Sequence, residues 1–306
     1  MNSDPARWPS LRGHCVLASK LFGDNGFQRI QRWLEVEVDR VDNRGFAREF
    51  SEHVDLPGVA EADYAHRVIT TSAGTLIGGI RFYGRDIGRP FVEVVCHDFA
   101  DLDELADCVH HEWIAFGAAW ARLHDLPGAL RVHGAVLDDT VFAASCGRLT
   151  EPDGRVTLAP FADTEDAVEL VAARYAALAA ENPELARNVR AADRDDLRTW
   201  HRDGTLLAVI VDDNTVGALA VAPGRVLWID GYEINEEVIL TTCAGNNFAA
   251  SAQAEWARRP GVDPERLLVG TIDRLNVASR RTARRAGRHA VLESVFIPLR
   301  RQFSAQ

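Results

Sequence analysis

The sequence predicts a mixed α+β protein of two domains, each a mostly antiparallel mixed sheet flanked by helices. Three observations predict it. The 306 residues are enough for two buried cores of ordinary size. Segments with a helical apolar period are separated by short runs of strand-like residues punctuated by Gly and Pro. The order of these segments also repeats along the chain: helix, two or three strands, a longer strand, a helix, another strand. The repeat turns at "RLTEPDGRV", which places one domain at 1–150 and the other at 151–306.

The first helix signal is "NGFQRIQRWLEVEVDRVDN", where Phe27, Ile30, Trp33, Leu34 and Val38 share one face. A polar, loop-like interval follows to about residue 65. "HRVITTSAG", "TLIGGIRFYG" and "PFVEVVCHDF" then read as three successive strands. A long helix is expected from Asp101 to about His124, followed by the strand-like "LRVHGAVL" and "TVFAASCG". The second half opens on the strand "RVTLAPF" and a helix capped by Thr164, "TEDAVELVAARYAALAAE". "NPELARNVRAADRDDLRTWHRDG" reads as one further helix closed by Gly204. Strands "TLLAVIVDD", "TVGALAVAPG", "VLWIDG" and "YEINEEVIL" follow, then the loop "TTCAGNN" and the helix "FAASAQAEWARR". The chain ends as strand "RLLVGTI", helix "NVASRRTARRAG" and strand "AVLESVFIPL".

Composition narrows the function. A net charge of −11 argues against a general nucleic-acid or anionic-membrane binder, so any anion site must be local. Lys20 is the only lysine among 34 basic residues, which disfavours Schiff-base chemistry. The five cysteines are scattered and odd in number, without metal or disulfide-framework spacing. "CVHHEW" is not a metal motif either, because adjacent histidines point to different helix faces. No metal is expected. With no apolar run of spanning length and no leader-like N-terminus, a cytoplasmic location is expected.

One stretch runs against the acidic balance. "TIDRLNVASRRTARRAGRHA", Thr271–Ala290, gathers six arginines in a late helix, after an Asn-x-x-Ser. A solvated helix face explains such a run without any site. Upstream, "EEVILTTCAGNNFAASAQ" supplies a strand, a glycine-bearing bend and a helix start, with no acidic residue between Val238 and Ala254. Main-chain N–H groups entering a helix favour a bound anion. Strand, glycine loop, helix, strand and Asn276-x-x-Ser279 with Gly287 eight residues on resemble the GCN5-related N-acetyltransferase superfamily. The first half follows that layout by element order alone. Its helix start carries Asp101, Asp103 and Glu104, which suit the dipole and repel a phosphate. The chain is therefore similar to tandem members in which only the second domain is competent, the first shaping an acceptor pocket or the scaffold. The opening run and the layout further resemble glycopeptide-antibiotic N-acyltransferases of the teicoplanin and A40926 type.

The resemblance implies acyl-CoA as co-substrate, with no metal. It implies a coenzyme site of Val238, Ile239 and Leu240 on the strand and Thr242, Cys243, Ala244, Gly245, Asn246, Asn247, Phe248 and Ala249 at the bend, with Asn276, Ser279, Arg280 and Arg284 on the late helix, where Arg281 and Arg285 are further candidate cations for the phosphates. Candidate bases are His201, then Glu233, then Asp230; Glu236 and Glu237 read as a solvated strand end. The family's frequent tyrosine acid is replaced by Ala283. Cys243 at a helix start would suit an acyl-cysteine route, but no histidine is placed by sequence to pair with it. Trp33, Trp200 and Trp228 are candidate walls for a large aromatic acceptor. The implied reaction is transfer of a long fatty acyl group to an amino sugar of a glycopeptide natural product, by a monomer or homodimer. Transfer of a short acyl group to an aminoglycoside or a protein N-terminus, and a non-catalytic acyl-CoA sensor, are the alternatives.

Overall fold

The computed structural model describes residues 3–54 and 56–299. Its contacts divide the chain into two compact units, one running to Asp139 and including Leu292 onward, the other Thr140–Val291.

In the first unit, helices α1 (Arg12–Phe22), α2 (Gly26–Asp39) and α3 (Arg44–Ser51) precede strands β1 (Arg67–Thr70), β2 (Thr75–Phe82) and β3 (Pro90–His97). Helix α4 (Leu102–Glu112) and strand β4 (Trp120–Asp125) follow. The long helix expected to His124 stops early, because Gly117 takes a left-handed turn and "WARLHD" alternates as a strand. Helices α1 and α3 occupy stretches that the sequence left unassigned or read as loop. Strands β1 to β3 form an antiparallel meander, and β3 meets β4 in parallel. Leu105, Val109 and Trp113 of α4 and its end pack with Tyr64, Ile80 and Val92 as the core.

Strand β5 (Val136–Ser145) leads into the second unit. There β6 (Thr157–Pro160), α5 (Thr164–Glu181), α6 (Pro183–Asn188) and α7 (Arg194–Arg202) precede β7 (Leu206–Val211), β8 (Asn214–Val226) and β9 (Ile229–Ile239). Helix α8 (Phe248–Ala257), β10 (Leu267–Asp273), α9 (Val277–Arg285) and β11 (His289–Pro298) complete the chain. The expected single helix over 182–204 is two, since 189–193 leaves helical geometry and Asp193 caps a new start. The cap of α5 is Asp163, whose carboxylate accepts the Glu165 N–H, rather than Thr164. The expected separate strands "VLWIDG" and "YEINEEVIL" are not separate: the first holds the turn of the β8–β9 hairpin, at Leu227 with φ 53°, and β9 runs on from Ile229 through the second.

The second unit's sheet runs β5-β10-β9-β8-β7-β6. Strand period two gives it two faces. Leu219 and Val221 of β8 pack with Phe248, Ala252 and Trp256 of α8. Ala218 and Ala220 pack with Val171 of α5 and Leu197 of α7. Burying a leucine such as Leu219, fully enclosed, contributes about 1.5–3 kcal/mol before entropy is counted. The sheet is thus held between α8 and the α5–α7 layer.

The last strands do not follow the 1–150 and 151–306 division. The second unit takes Thr140–Ser145 of β5, which lies beside β10. The first unit takes Leu292 onward, and β11 pairs antiparallel with β4 from Glu293↔Asp125 to Pro298↔Trp120. Among the described residues no helix is long and apolar enough to cross a membrane.

Candidate active site

Strand pairing opens a wedge in the second unit. Strands β8 and β9 pair from Val226↔Ile229 to Gly217↔Ile239, with one slip in register. Ala220 faces Glu236 while Val221 faces Ile234, so Asn235 is an extra residue on β9, a β-bulge. Strands β9 and β10 pair in parallel only at Tyr232↔Leu268 and Glu233↔Val269. Beyond those two rungs the strands part. A cavity of about 710 Å³ lies there, lined by Ile234–Ile239 on one side and Gly270–Asp273 on the other. Unpaired strand backbone along such a slot can bond an extended ligand as a neighbouring strand would.

The open end of the wedge is the bend into α8. Gly245 has φ +84° and Asn247 φ +65°, both left-handed, and a Cβ at Gly245 would meet nothing within 4 Å. The glycine is there for its φ, not for space. The N-cap residue Asn247 places no side-chain bond on the helix, unlike Asp101, Asp163, Asp193 and Asn276 on theirs. Among the described residues, no hydrogen bond engages the N–H groups of Gly245, Asn246, Asn247, Phe248 and Ala249. Two arginines brace the bend. Arg285 Nη1 donates to Asn247 Oδ1 at 2.5 Å, and Arg155 Nη2 donates to the Asn246 carbonyl at 2.9 Å.

Two adjacent carboxylates line the wedge on opposite faces. Glu236, 5% exposed, accepts from the Tyr175 hydroxyl at 3.2 Å and from the Ala192 N–H at 3.0 Å, on the α5–α7 side. Burial raises its pKa against those donors. Glu237 accepts from Gln253 Nε2 at 2.7 Å on the α8 side, and Arg288 Nε donates to Gln253 Oε1 at 3.0 Å. Burial raises Glu237 too, although Arg288 opposes it. The same burial lowers Arg288 to about 10, with Glu237 pulling the other way.

No protein-family profile matches the chain, and no curated protein matches it. Solved structures do. A GCN5-related N-acetyltransferase from Sphaerobacter thermophilus is 16% identical, with a TM-score of 0.49, over 97% of this chain and 94% of that one. A GNAT-family acetyltransferase from Colwellia psychrerythraea is 10% identical, TM-score 0.48, over 89% and 97%. A tandem GNAT protein from the clavulanic acid biosynthesis pathway is 13% identical, TM-score 0.41, over 84% and 88%. Likeness this distant says nothing of activity, which the wedge itself has to carry.

The expected coenzyme residues divide into two groups. Val238, Ile239, Cys243, Ala244, Gly245, Asn246, Asn247, Phe248 and Ala249, with Asn276 and Ser279, line the wedge. Asn276 also caps α9, accepting the Ser279 N–H at 3.0 Å, so the Asn-x-x-Ser has a local structural job as well. Leu240 and Thr242 do not line it; the Leu240 N–H donates to Val216 and continues the sheet. Arg280 and Arg284 turn instead to the Phe142 ring, and Arg280 donates to Thr140 Oγ1 at 3.1 Å. One step round the helix, Arg281 and Arg285 face the wedge.

None of the three expected bases lines the wedge. His201 Nε2 at the end of α7 donates to the Phe161 carbonyl at 2.9 Å. Glu233 lies over Gly224 and accepts the Arg225 N–H at 3.2 Å. Asp230 is opposite Arg225, near the turn end of the hairpin. The tryptophans are not walls of this cavity. Trp33 is core of the first unit and Trp228 is fully enclosed, while Trp200 packs in the α5–α7 layer. Sequence reading passed over Glu236, Glu237, Tyr175, Arg155 and Arg288. The adjacent glutamates read as a solvated strand end because nothing in the sequence announces that a helical layer covers each face of β9 there.

The first unit repeats the device and fills it. Strands β3 and β4 pair only at Val92↔Ala121 and Glu93↔Arg122, and the β2–β3 slip leaves Val95 extra. The gap beyond holds about 200 Å³ and is lined by Pro9, Ser10 and Leu11. Ser10 Oγ accepts the His97 N–H at 2.9 Å, whereas at the matching place in the second unit the Glu237 N–H donates to Glu236 Oε1 at 3.1 Å.

Proposed function

We propose that this chain is an acyl-CoA-dependent N-acyltransferase whose donor occupies the wedge between β9 and β10. The observation that carries the reading is the slot of unpaired strand backbone ending on five unengaged N–H groups at a helix start. A pyrophosphate suits those donors and the dipole behind them, with Arg281 and Arg285 as nearby cations. The pantetheine arm then runs beside Glu237–Ile239, bringing the thioester to the bulge at Asn235.

In this reading Glu236 takes the role expected of His201, Glu233 or Asp230. The acceptor amine attacks the thioester carbonyl, a C–N bond forms and the C–S bond breaks. The coenzyme leaves as a thiolate, and the proton of the ammonium passes to Glu236 directly or through water. A carboxylate whose pKa burial has raised is better matched to an amine proton than an ordinary one. Ala283 is enclosed against Phe142 and Ile272, so protonation of the thiolate falls to solvent, which a leaving group of this acidity tolerates. Cys243 Sγ has Thr242 Oγ1 beside it at 3.8 Å and, among the described residues, no bonded histidine, which favours direct attack over an acyl-cysteine. The acceptor in this reading is the amino sugar of a glycopeptide, on the strength of the sequence resemblance.

Thiol release from acyl-CoA donors, with amino-sugar and peptide amines as acceptors, tests the proposal. Turnover that depends on both is expected, together with a severe loss of CoA affinity in Gly245→Asp. CoA binding without turnover of any amine would leave an acyl-CoA sensor, and unchanged affinity in Gly245→Asp would remove the bend from the site.

A further inference from the structure

We propose that Arg288 reads the far end of the donor's acyl group, and that this group ends in a carboxylate, as in a malonyl or succinyl thioester. The inference rests on the acyl-CoA reading above and deepens it.

The wedge has an apex, and a guanidinium sits in it. Gly270 and Ile234 are the first residues beyond the last rung that joins β10 to β9. A Cβ built on Gly270 would lie 3.1 Å from Arg288 Nη1 and 3.7 Å from Ile234 Cβ. Glycine at 270 therefore makes room for the guanidinium at the point where the strands converge. The side chain enters from the segment after α9, where the Gly287 turn delivers it beneath the sheet.

Arg288 is 2% exposed, yet among the described residues no carboxylate bonds to it. Its Nε is taken by the neutral amide of Gln253, which in turn holds Glu237. Among the described residues Nη1 has no hydrogen-bond partner. A buried charge answered only at one remove is costly, and a directly bonded anion would relieve it. Arginine is the side chain suited to a carboxylate, because its fork matches the two oxygens.

Length sets what reaches this point. From Ile234 to Leu240 the strand covers about 20 Å at about 3.3 Å per residue, a span that a phosphopantetheine arm fills from the bend. The acyl group then lies at the apex, against Nη1. A long fatty tail there would strip the guanidinium of partners without replacing them, whereas a dicarboxylic acyl group supplies the missing acceptor. The fatty donor implied by the sequence resemblance is disfavoured on that ground.

Calorimetric titration of the full chain with CoA, acetyl-CoA, succinyl-CoA and octanoyl-CoA tests this. Succinyl-CoA is expected to bind about tenfold or more tighter than acetyl-CoA, the scale of one charge-assisted bond. Arg288→Met should erase that preference while keeping affinity for CoA itself within about threefold, since its phosphates lie at the other end. Equal wild-type affinities, or octanoyl-CoA binding best, would overturn the proposal. So would loss of all four ligands together in a folded Arg288→Met, which would make the residue structural. Should that variant not fold, the wild-type ratio still decides, and Gly270→Ala, whose methyl presses on Nη1, should lower it. A wild-type chain that binds no CoA at all would sink the acyl-CoA reading, whereas CoA binding without a carboxylate preference would sink this inference alone.

Discussion

Glu236 and Glu237 are neighbours in sequence and belong to different layers. One is held by Tyr175 and the Ala192 N–H, the other by Gln253 and, through it, Arg288. Both carboxyls are raised by burial, so the folded unit holds their protons more tightly than the unfolded chain. Their contribution to stability therefore grows as pH falls toward those raised values and shrinks as pH climbs past them. In the proposed reaction the dependence runs the other way, since only the carboxylate accepts a proton. Turnover should rise with pH along a limb above the ordinary carboxylate range. Glu236→Gln should lower kcat about 100-fold, within the range for general-base loss, remove that limb and leave CoA affinity in place. A pH–rate profile unchanged in shape would take Glu236 out of the role.

At the scale of elements, one extra residue on one strand creates the site. Asn235 in β9 and Val95 in β3 are bulges at matching places, two residues past the last parallel rung. What differs is the filling. Ser10 occupies the first wedge, so Ser10→Ala should cost about 1 kcal/mol by orphaning the His97 amide, without altering CoA affinity. Urea unfolding and a CoA titration on the same variant check both halves. In the second wedge, Gly245→Ala has open space around it but must hold φ +84°, so a loss of about 1 kcal/mol from strain alone is expected, read from the urea midpoint. Much of this was legible. The glycine bend, the helix after it and the Asn-x-x-Ser cap are local features with local sequence signals. The bulges were not, because a register slip depends on which strand lies alongside. For the same reason four arginines of α9 were candidates for the phosphates while only Arg281 and Arg285 stand at the wedge: helix period fixes the spacing of a face, and packing of Arg280 and Arg284 against Phe142 fixes its direction.

For the whole chain, the two units build their parting strands on different electrostatics. In the first, Glu93, at the position matching Glu233, meets Arg122 at 2.7 Å and also bonds His124. Arg122 reaches Asp138 at 3.0 Å, and Ser294 donates to Asp139 at 2.7 Å. Burial alone would raise the Glu93 carboxyl, but Arg122 and His124 outweigh it and hold it well below the ordinary range. Its stabilisation is present above the ordinary value of 4.5 and drains away as pH falls further. Asp139 has the opposite sign, since burial and Asp138 push it up to about 6, and stability is gained as pH falls through that value. The buried imidazoles of His14 and His66, which burial lowers to about 4 and about 3, lose stability as pH falls below the ordinary 6.5 and outweigh the Asp139 gain, so the first unit should weaken steadily from about pH 6.5 downward, by urea unfolding across that window. Glu93→Gln should cost about 3 kcal/mol by leaving Arg122 undercompensated, and should flatten the acid side of the profile.

The sequence by itself determined the composition-level facts and the local ones: an α+β chain, an acidic balance that confines any anion site, a glycine bend at a helix start and the Asn276 that begins α9. These follow from short-range preferences that neighbouring residues settle among themselves. Tertiary structure alone decided where strands slip and part, which units receive β5 and β11, and that His201 and Trp228 face their own layers while Glu236 and Arg288 face the wedge. Those outcomes depend on partners far along the chain. Period and propensity say which residues share a face, but only packing says what that face meets.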